Sequence, residues 1–358
     1  FGKSASSIID IILSNNEYSD DEFDLFVLPC IQIKKYKQAI NFFMNDKNHD
    51  YEKSLNMMIA GVEHTIAWGG IHAGKEKYHN KGKNRQIWHI DVASFYPRLM
   101  IFWNLLTRNA TKPERFKQIY EKRIQLKREG KKKEQAPLKI VINGTYGICK
   151  AETSSAYDPR NANLICINGQ LMLIDLIEHL EKIDGFELIQ SNTDGLIISL
   201  PDTDEAFEQM DDICYEWEKR CRMELEFDQI KSIHQKDVNN YVFEFMNGKL
   251  ERKGAYVKEL SRLDYDLAIV NKAIVDALVN DIPVEKTILE CDDLKEFQMI
   301  KKISGKYETL MHGGYYVTEQ KINPKTGKMK TLAIVLSVLP LLSIAGSRWT
   351  QEDLENWL

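Results

Sequence analysis

The chain has 358 residues, 43% of them hydrophobic and 28% charged, with a formal net charge of -5 at pH 7. This length supports two or three domains with sizeable cores, and the composition excludes a disordered or fibrous chain. The negative total argues against a protein coated all round by nucleic acid, although binding follows the local field rather than the sum. The cysteines at 30, 149, 166, 214, 221 and 291 include no CxxC pair, so reduced thiols are expected rather than a disulfide framework or zinc ribbon. The opening "FGKSASSIIDIILSN" has neither the basic start nor the apolar core of a signal peptide, and a first residue of Phe1 reads as a fragment of something longer.

In chain order, "DDEFDLFVLPCIQIKKYKQAINFFMND" predicts a strand or turn and then an amphipathic helix. "WGGIHAGKEKYHNKGKN" reads as a loop and "RQIWHID" as a strand ending at Asp91. Residues 113–133, "PERFKQIYEKRIQLKREGKKK", are strongly basic with an apolar stripe, which predicts a helix broken at Gly130. A second helix is expected to start near Pro137, giving two antiparallel helices joined by a basic turn. "NANLICINGQLMLIDLIEHLEKI" (161–183) predicts an apolar helix, followed by a hairpin whose tip carries Asp194. A helix over 204–226 and a hairpin turning at Asn247-Gly248 come next. From Tyr256 to about 310 the pattern is mainly helical, and "GGYYVTEQKI" (313–322) then reads as strand-like before a "NPKTGK" turn. The apolar stretch 332–346 is shorter than the ~20 residues of a membrane span and is interrupted by Pro340, so a buried or interface segment is expected.

Three stretches carry chemistry. In "HIDVASFYPRLM" a strand delivers Asp91 to its end, and a rigid Phe95-Tyr96-Pro97 surface follows. In "LKIVINGTYG" Lys139, Asn143 and Tyr146 fall at i, i+4 and i+7 on one helix face, a stripe suited to phosphates and a flat base. In "SNTDGLII" Asp194 sits in a turn between two apolar runs. Each alone has an ordinary explanation: a strand-end or turn acid, or a solvated helix face. Together, two carboxylates on neighbouring strands would suit Mg²⁺.

These stretches resemble the motifs of B-family DNA polymerases. "DVASFYP" is similar to their motif A, "KIVINGTYG" to motif B with Gly144 replacing a Ser, and "NTDG" to motif C, usually DTDS. "KDVNNYVFE" (236–244) and "ERKGAY" (251–256) resemble the primer-gripping segments, and "AWGGIHA" resembles the Y-x-G-G region of the phage-type branch, with Ala67 replacing Tyr. The resemblance covers roughly residues 66 to 256. It implies an α+β right-hand fold with an antiparallel-sheet palm, two-helix fingers and a mostly helical thumb. The expected division is a connecting segment 1–65, palm 66–111 and 151–254, fingers 112–150, and thumb with the C-terminal segment 255–358.

The resemblance also implies roles. Asp91 and Asp194, helped by the Val92 carbonyl, would hold two Mg²⁺ ions, with Mn²⁺ as the alternative. The Ser94 and Phe95 amides, Arg123, Lys127, Lys139 and Asn143 would meet the triphosphate. Tyr96 would stack under the sugar and exclude a 2′-hydroxyl. Tyr146, Gly147, Thr193, Asn240, Tyr241, Lys253 and Gly254 would contact DNA. The implied activity is template-directed addition of deoxynucleotides to a primer, of viral, phage or plasmid type, in the (host) cytoplasm and away from membranes. Replication proteins or a terminal protein would be further partners.

Arg98 departs from the family, standing where a Ser is common. The full partner set of a proofreading exonuclease is not evident in residues 1 to 65, where Tyr18 and its nearby acids are too little to make one. Only 47 residues (92–138) separate Asp91 from Lys139 and 54 (140–193) separate Lys139 from Asp194, leaving little room for the insertions of protein-primed polymerases. The rival readings are a catalytically silent polymerase-like DNA-binding module and a related enzyme making an RNA primer or an untemplated tail.

Overall fold

The computed structural model describes residues 21–260 and 267–303 and the short strands at 310–312, 315–317 and 332–337. The chain divides into two units, one of residues 1–75 and 82–229, the other of residues 76–81 and 230–358.

The first unit opens with an extended segment and helix α1 (Lys37–Phe43), whose Ala39, Phe42 and Phe43 lie on one face and are buried. Strands β1 (Leu55–Ile59) and β2 (Val62–Ile66) form a tight hairpin, because Ala60 and Gly61 both take positive φ, 48° and 78°. Strand β3 (His72–Gly74) follows; β4 (Tyr78–Asn80) belongs to the second unit. Strand β5 (Arg85–Val92) runs into helix α2 (Phe95–Phe102). Helices α3 (Pro113–Arg128) and α4 (Lys132–Lys150) are joined through Gly130 at φ 70°.

Helix α5 (Pro159–Leu180) starts on the Asp158 side chain, which accepts from the Asn161 amide, and is buried almost all round. Hairpin β6 (Glu187–Asn192) and β7 (Gly195–Pro201), then helix α6 (Asp204–Cys221), complete the unit. The order β5–β7–β6–β3 is antiparallel throughout. One apolar core joins Leu171 and Ile174 of α5, Leu196 and Ile198 of β7 and Trp217 of α6.

Polar side chains of α5 hold the segment before α1. Asn168 accepts from the Leu28 amide at 2.8 Å, Asp175 from Gln32 at 2.7 Å and Glu178 from Lys34 at 2.7 Å. These backbone groups are thereby satisfied without a strand, so the turn alternative is the one realised.

Strand β8 (Leu225–Asp237) runs across the boundary between the units. In the second unit its later residues pair with β4 and with β9 (Asn240–Phe245), and β9 pairs with β10 (Leu250–Lys253). Helix α7 (Ala268–Asn280) closes a small core of Val242, Val257, Ile274, Val275 and Leu278, and helix α8 (Val284–Leu289) follows. Strand β11 (Gln298–Ile303) pairs with β14 (Leu332–Ser337), and β12 (Leu310–His312) with β13 (Tyr315–Val317).

Four expectations change. The Gly- and Lys-rich stretch before β5 contains two short strands, β3 and β4, because their backbones pair with β6 and β8 far along the chain. Helix α4 begins at Lys132, so Pro137 lies inside it and removes only one backbone donor near its start. The helix expected over 204–226 ends at Cys221, where Arg222 takes φ 57° and breaks the repeat. Beyond α8 the chain forms a strand at 298–303 rather than continuing helical to about 310, while the strand at 315–317 lies within the stretch read as strand-like. Of the apolar stretch 332–346, residues 332–337 form strand β14 and 338–346 lie outside the described residues. Among the described residues no helix is long and apolar enough to cross a membrane.

Candidate active site

Strand pairing brings Asp91 and Asp194 together. Asp91 near the end of β5 stands opposite Gly195, the first residue of β7, so Asp194 in the preceding turn is its neighbour. The Val92 amide donates to the Asp194 carbonyl at 2.7 Å. A Cβ on Gly195 would meet the Ile90 carbonyl at 2.9 Å and Asp91 Oδ1 at 3.2 Å, so glycine lets the strands close here. Thr193 is held from the other side: its hydroxyl lies 3.1 Å from His72 Nε2, and a Cβ on Gly70 would meet it at 2.8 Å.

Asp194 lines a cavity, and partial burial of its carboxyl among protein atoms pushes its pKa above the usual carboxylate value. Its own backbone amide and the charges of His89, Lys139 and His72 oppose that rise. A bound cation would act in the same direction. The groups at hand offer hard oxygens, namely the two carboxylates, and Val92 lines the same cavity. Among the described residues no group of three or more His, Cys, Asp or Glu is placed to hold a metal. Two carboxylate donors on one cavity wall are compatible with an ion such as Mg²⁺, which takes hard oxygens and keeps several positions for water and phosphate.

After β5 the chain turns sharply at Ser94, which takes φ 54° before α2 and makes no capping bond. Its hydroxyl instead accepts from Arg123 Nη1 of α3 at 2.6 Å. Arg123 is 7% exposed, and its Nε has no hydrogen-bond partner. Burial lowers its pKa from the ordinary arginine value, the signature of a cation with too little compensating charge. One turn on, Lys127 pairs with Glu226 of β8. Lys139 and Asn143 of α4 are exposed one turn apart.

The Tyr96 ring lies 4.8 Å from that of Tyr146, edge to face. Gly169 of α5 lies beneath it, where a Cβ would come within 3.4 Å of Tyr96. The Tyr146 hydroxyl meets Cys166 Sγ at 2.5 Å, and burial raises both phenol pKa values. Gly144 and Gly147 face open space, so no packing within the protein demands glycine at either position.

A cavity of about 480 Å³ gathers these groups: Asp91, Val92, Ser94, Phe95, Tyr96, Arg123, Lys127, Lys139, Asn143, Thr193 and Asp194 all line it. Tyr146 reaches it only through Tyr96, and Gly147 is not on its wall. Asn240, Tyr241, Lys253 and Gly254 belong to the second unit, where they cluster on one hairpin. Tyr241 pairs with Lys253 in register, and Gly254, at φ 115°, leaves room for Asn240, whose Oδ1 an added Cβ would meet at 2.5 Å.

Sequence reasoning missed Glu224 and Glu226, which also line the cavity, and gave Arg98 no role. Arg98 donates from Nη1 to the Tyr120 hydroxyl at 2.9 Å and to Glu224 at 3.1 Å, and from Nη2 to the Arg222 carbonyl at 3.3 Å. It thereby ties α2 to α3 and to the start of β8.

No protein-family model matches the chain. The chain is 26% identical over 187 residues to a protein named DNA polymerase 1 from Sulfurisphaera ohwakuensis, covering 52% of this chain and 20% of that one. It is 24% identical over 190 residues to DNA polymerase 1 of Saccharolobus solfataricus, with the same shares. A solved structure described as the family B DNA polymerase of Pyrobaculum calidifontis aligns with a TM-score of 0.46 at 14% identity, covering 74% of this chain and 39% of that one. The chain is thus similar, over about half its own length and a fifth of theirs, to archaeal proteins named DNA polymerase 1.

Proposed function

We propose that the chain carries the catalytic core of a template-directed DNA polymerase, which adds deoxynucleotides to a primer 3′-hydroxyl and releases pyrophosphate. The observation that carries it is the placement of two carboxylates, Asp91 and Asp194, side by side in a cavity walled by Arg123, Lys127 and Lys139. An all-oxygen anionic pair facing a cationic wall is the arrangement that phosphoryl transfer from a triphosphate needs. The similarity to archaeal DNA polymerases points the same way.

Asp91 and Asp194, with the Val92 carbonyl, would hold two Mg²⁺ ions, or Mn²⁺. When bound, the ions supply an activated 3′-oxygen and neutralise charge on the leaving pyrophosphate. Arg123, Lys127 and Lys139 hold the triphosphate oxygens, and Asn143 and the Ser94 and Phe95 amides orient them. Tyr96, braced by Tyr146 and Gly169, offers a flat wall to the sugar and leaves no room for a 2′-hydroxyl. The exposed Gly144 and Gly147 let a nucleic acid strand approach α4, which offsets the helix cost of about 1 kcal/mol each. Thr193 meets the primer end, and Tyr241, Lys253, Asn240 and Gly254 grip its backbone.

On this reading residues 66–111 and 151–254 are palm, 112–150 fingers, and 255–358 thumb and C-terminal segment. The likeness of "AWGGIHA" to the Y-x-G-G region supports a viral or phage type of enzyme acting in the cytoplasm with replication proteins as further partners, while the short spacing of the motifs gives no support to priming from a terminal protein. The test is extension of a primed DNA template by the purified chain with Mg²⁺ and the four deoxynucleotides. Binding of the primed template without extension would support the silent-module reading instead.

A further inference from the structure

Of the three cations that α3 gives to the cavity wall, Arg123, Lys127 and Arg128, the first two meet oxygen partners within the chain, and those partners differ. Arg123 meets a neutral hydroxyl, that of Ser94, and keeps an orphaned donor. Lys127 meets a carboxylate, that of Glu226. The other acid on this wall, Glu224, is engaged by Arg98. Glu226 is therefore the carboxylate placed where phosphate oxygens are expected.

We propose that Glu226 is a built-in competitor of the incoming triphosphate: it holds Lys127 in the nucleotide-free cavity and yields it to phosphate oxygens on binding. This rests on the polymerase reading of the cavity. The pair is suited to exchange. The Lys127 and Glu226 side chains are each 47% exposed, so water and salt screen them and the pair is weak. A triphosphate offers the ammonium more charge than one carboxylate, and it also has Arg123 and Lys139 to hold. Once displaced, Glu226 remains on the cavity wall as a like charge facing the phosphates. The carboxylate thus lowers nucleotide affinity twice, by occupying Lys127 and by repelling the ligand. It also keeps the ammonium on the cavity side of α3 before nucleotide arrives.

The test is the affinity of a fluorescent deoxynucleoside triphosphate for the full chain in Mg²⁺, in wild type, Glu226→Gln, Lys127→Gln and the double variant. Glu226→Gln is expected to tighten binding by about 2–5-fold, the scale of a weak exposed ion pair. In the Lys127→Gln background the same change is expected to gain clearly less, because the pair is already broken. Unchanged or weaker binding in Glu226→Gln, or an equal gain in both backgrounds, would overturn the proposal. Primer extension by the wild type, measured alongside, reports separately on the polymerase reading, because the affinity comparison does not depend on turnover.

Discussion

The guanidinium of Arg98 donates to the Tyr120 hydroxyl over 2.9 Å, joining the helix that follows Asp91 to the helix that carries Arg123 and Lys127. Arg98 also holds Glu224 and stands over the Phe102 ring at 5.0 Å, and its side chain is only 13% exposed. Charged hydrogen bonds in such a setting contribute about 1.5–3 kcal/mol. Arg98→Ser should lower stability on that scale and loosen α3 over the cavity. The expected kinetic result is a several-fold higher KM for deoxynucleotide with a smaller change in kcat, with Arg98→Lys restoring part of it. A KM equal to that of the wild type would separate Arg98 from nucleotide positioning.

Tyr96 is fixed by contact with Tyr146 and by the space above Gly169. Tyr96→Ala should open the floor beneath the sugar, and ribonucleotide use relative to deoxynucleotide should rise by roughly tenfold or more. Competition between the two nucleotides in primer extension measures this directly. Unchanged discrimination would remove Tyr96 from sugar selection.

Buried histidines give the fold a defined pH response. His64 is fully buried, 2.7 Å from the Ser191 hydroxyl, and burial lowers its pKa. His234 is pushed down to about 4 by burial and by the nearby His79 and Lys81 charges. Below the ordinary histidine value of about 6.5 the unfolded chain takes up protons that the folded chain refuses. Stability contributed by these sites is therefore present above that pH and is lost as pH falls below it. Urea unfolding at pH 7.5 and 5.5 should show this loss, and His64→Gln should flatten it. An identical pH slope in the variant would contradict the assignment to His64.

Asp158 anchors a second charged network. Fully buried, it caps α5 and accepts from the Arg108 amide at 2.7 Å and from the Arg108 guanidinium at 2.6 Å; Arg108 also pairs with Asp21. Asp158→Ala leaves the Arg108 guanidinium to Asp21 alone and uncaps α5, so it should cost about 2–4 kcal/mol in unfolding free energy. Denaturant unfolding measures it, and a loss below ~1 kcal/mol would place the network among weak surface pairs.

What was legible in the sequence was local. Asp91 at a strand end, the one-face stripe of Lys139 and Asn143, and Asp194 in a turn each declare themselves within ten residues of chain. Their convergence follows once β5 and β7 pair, which antiparallel alternation suggests but does not fix. Arg98 and Glu226 were illegible because their partners, Glu224 and Lys127, lie 126 and 99 residues away, and no periodicity marks a contact of that range. The β1–β2 hairpin was missed because Ala60 gives no sign of the positive φ it adopts. The strand at 298–303 was missed because short apolar runs do not distinguish helix from strand.

The central proposal is that Asp91 and Asp194 together hold the metal ions at which the primer is extended. The most direct measurement is primer extension with Mg²⁺ by wild type, Asp91→Asn and Asp194→Asn, alongside their affinity for the primed DNA. The account predicts that wild type extends the primer, that each variant loses extension by about three orders of magnitude or more, and that DNA affinity is retained. Normal extension by either variant would contradict it.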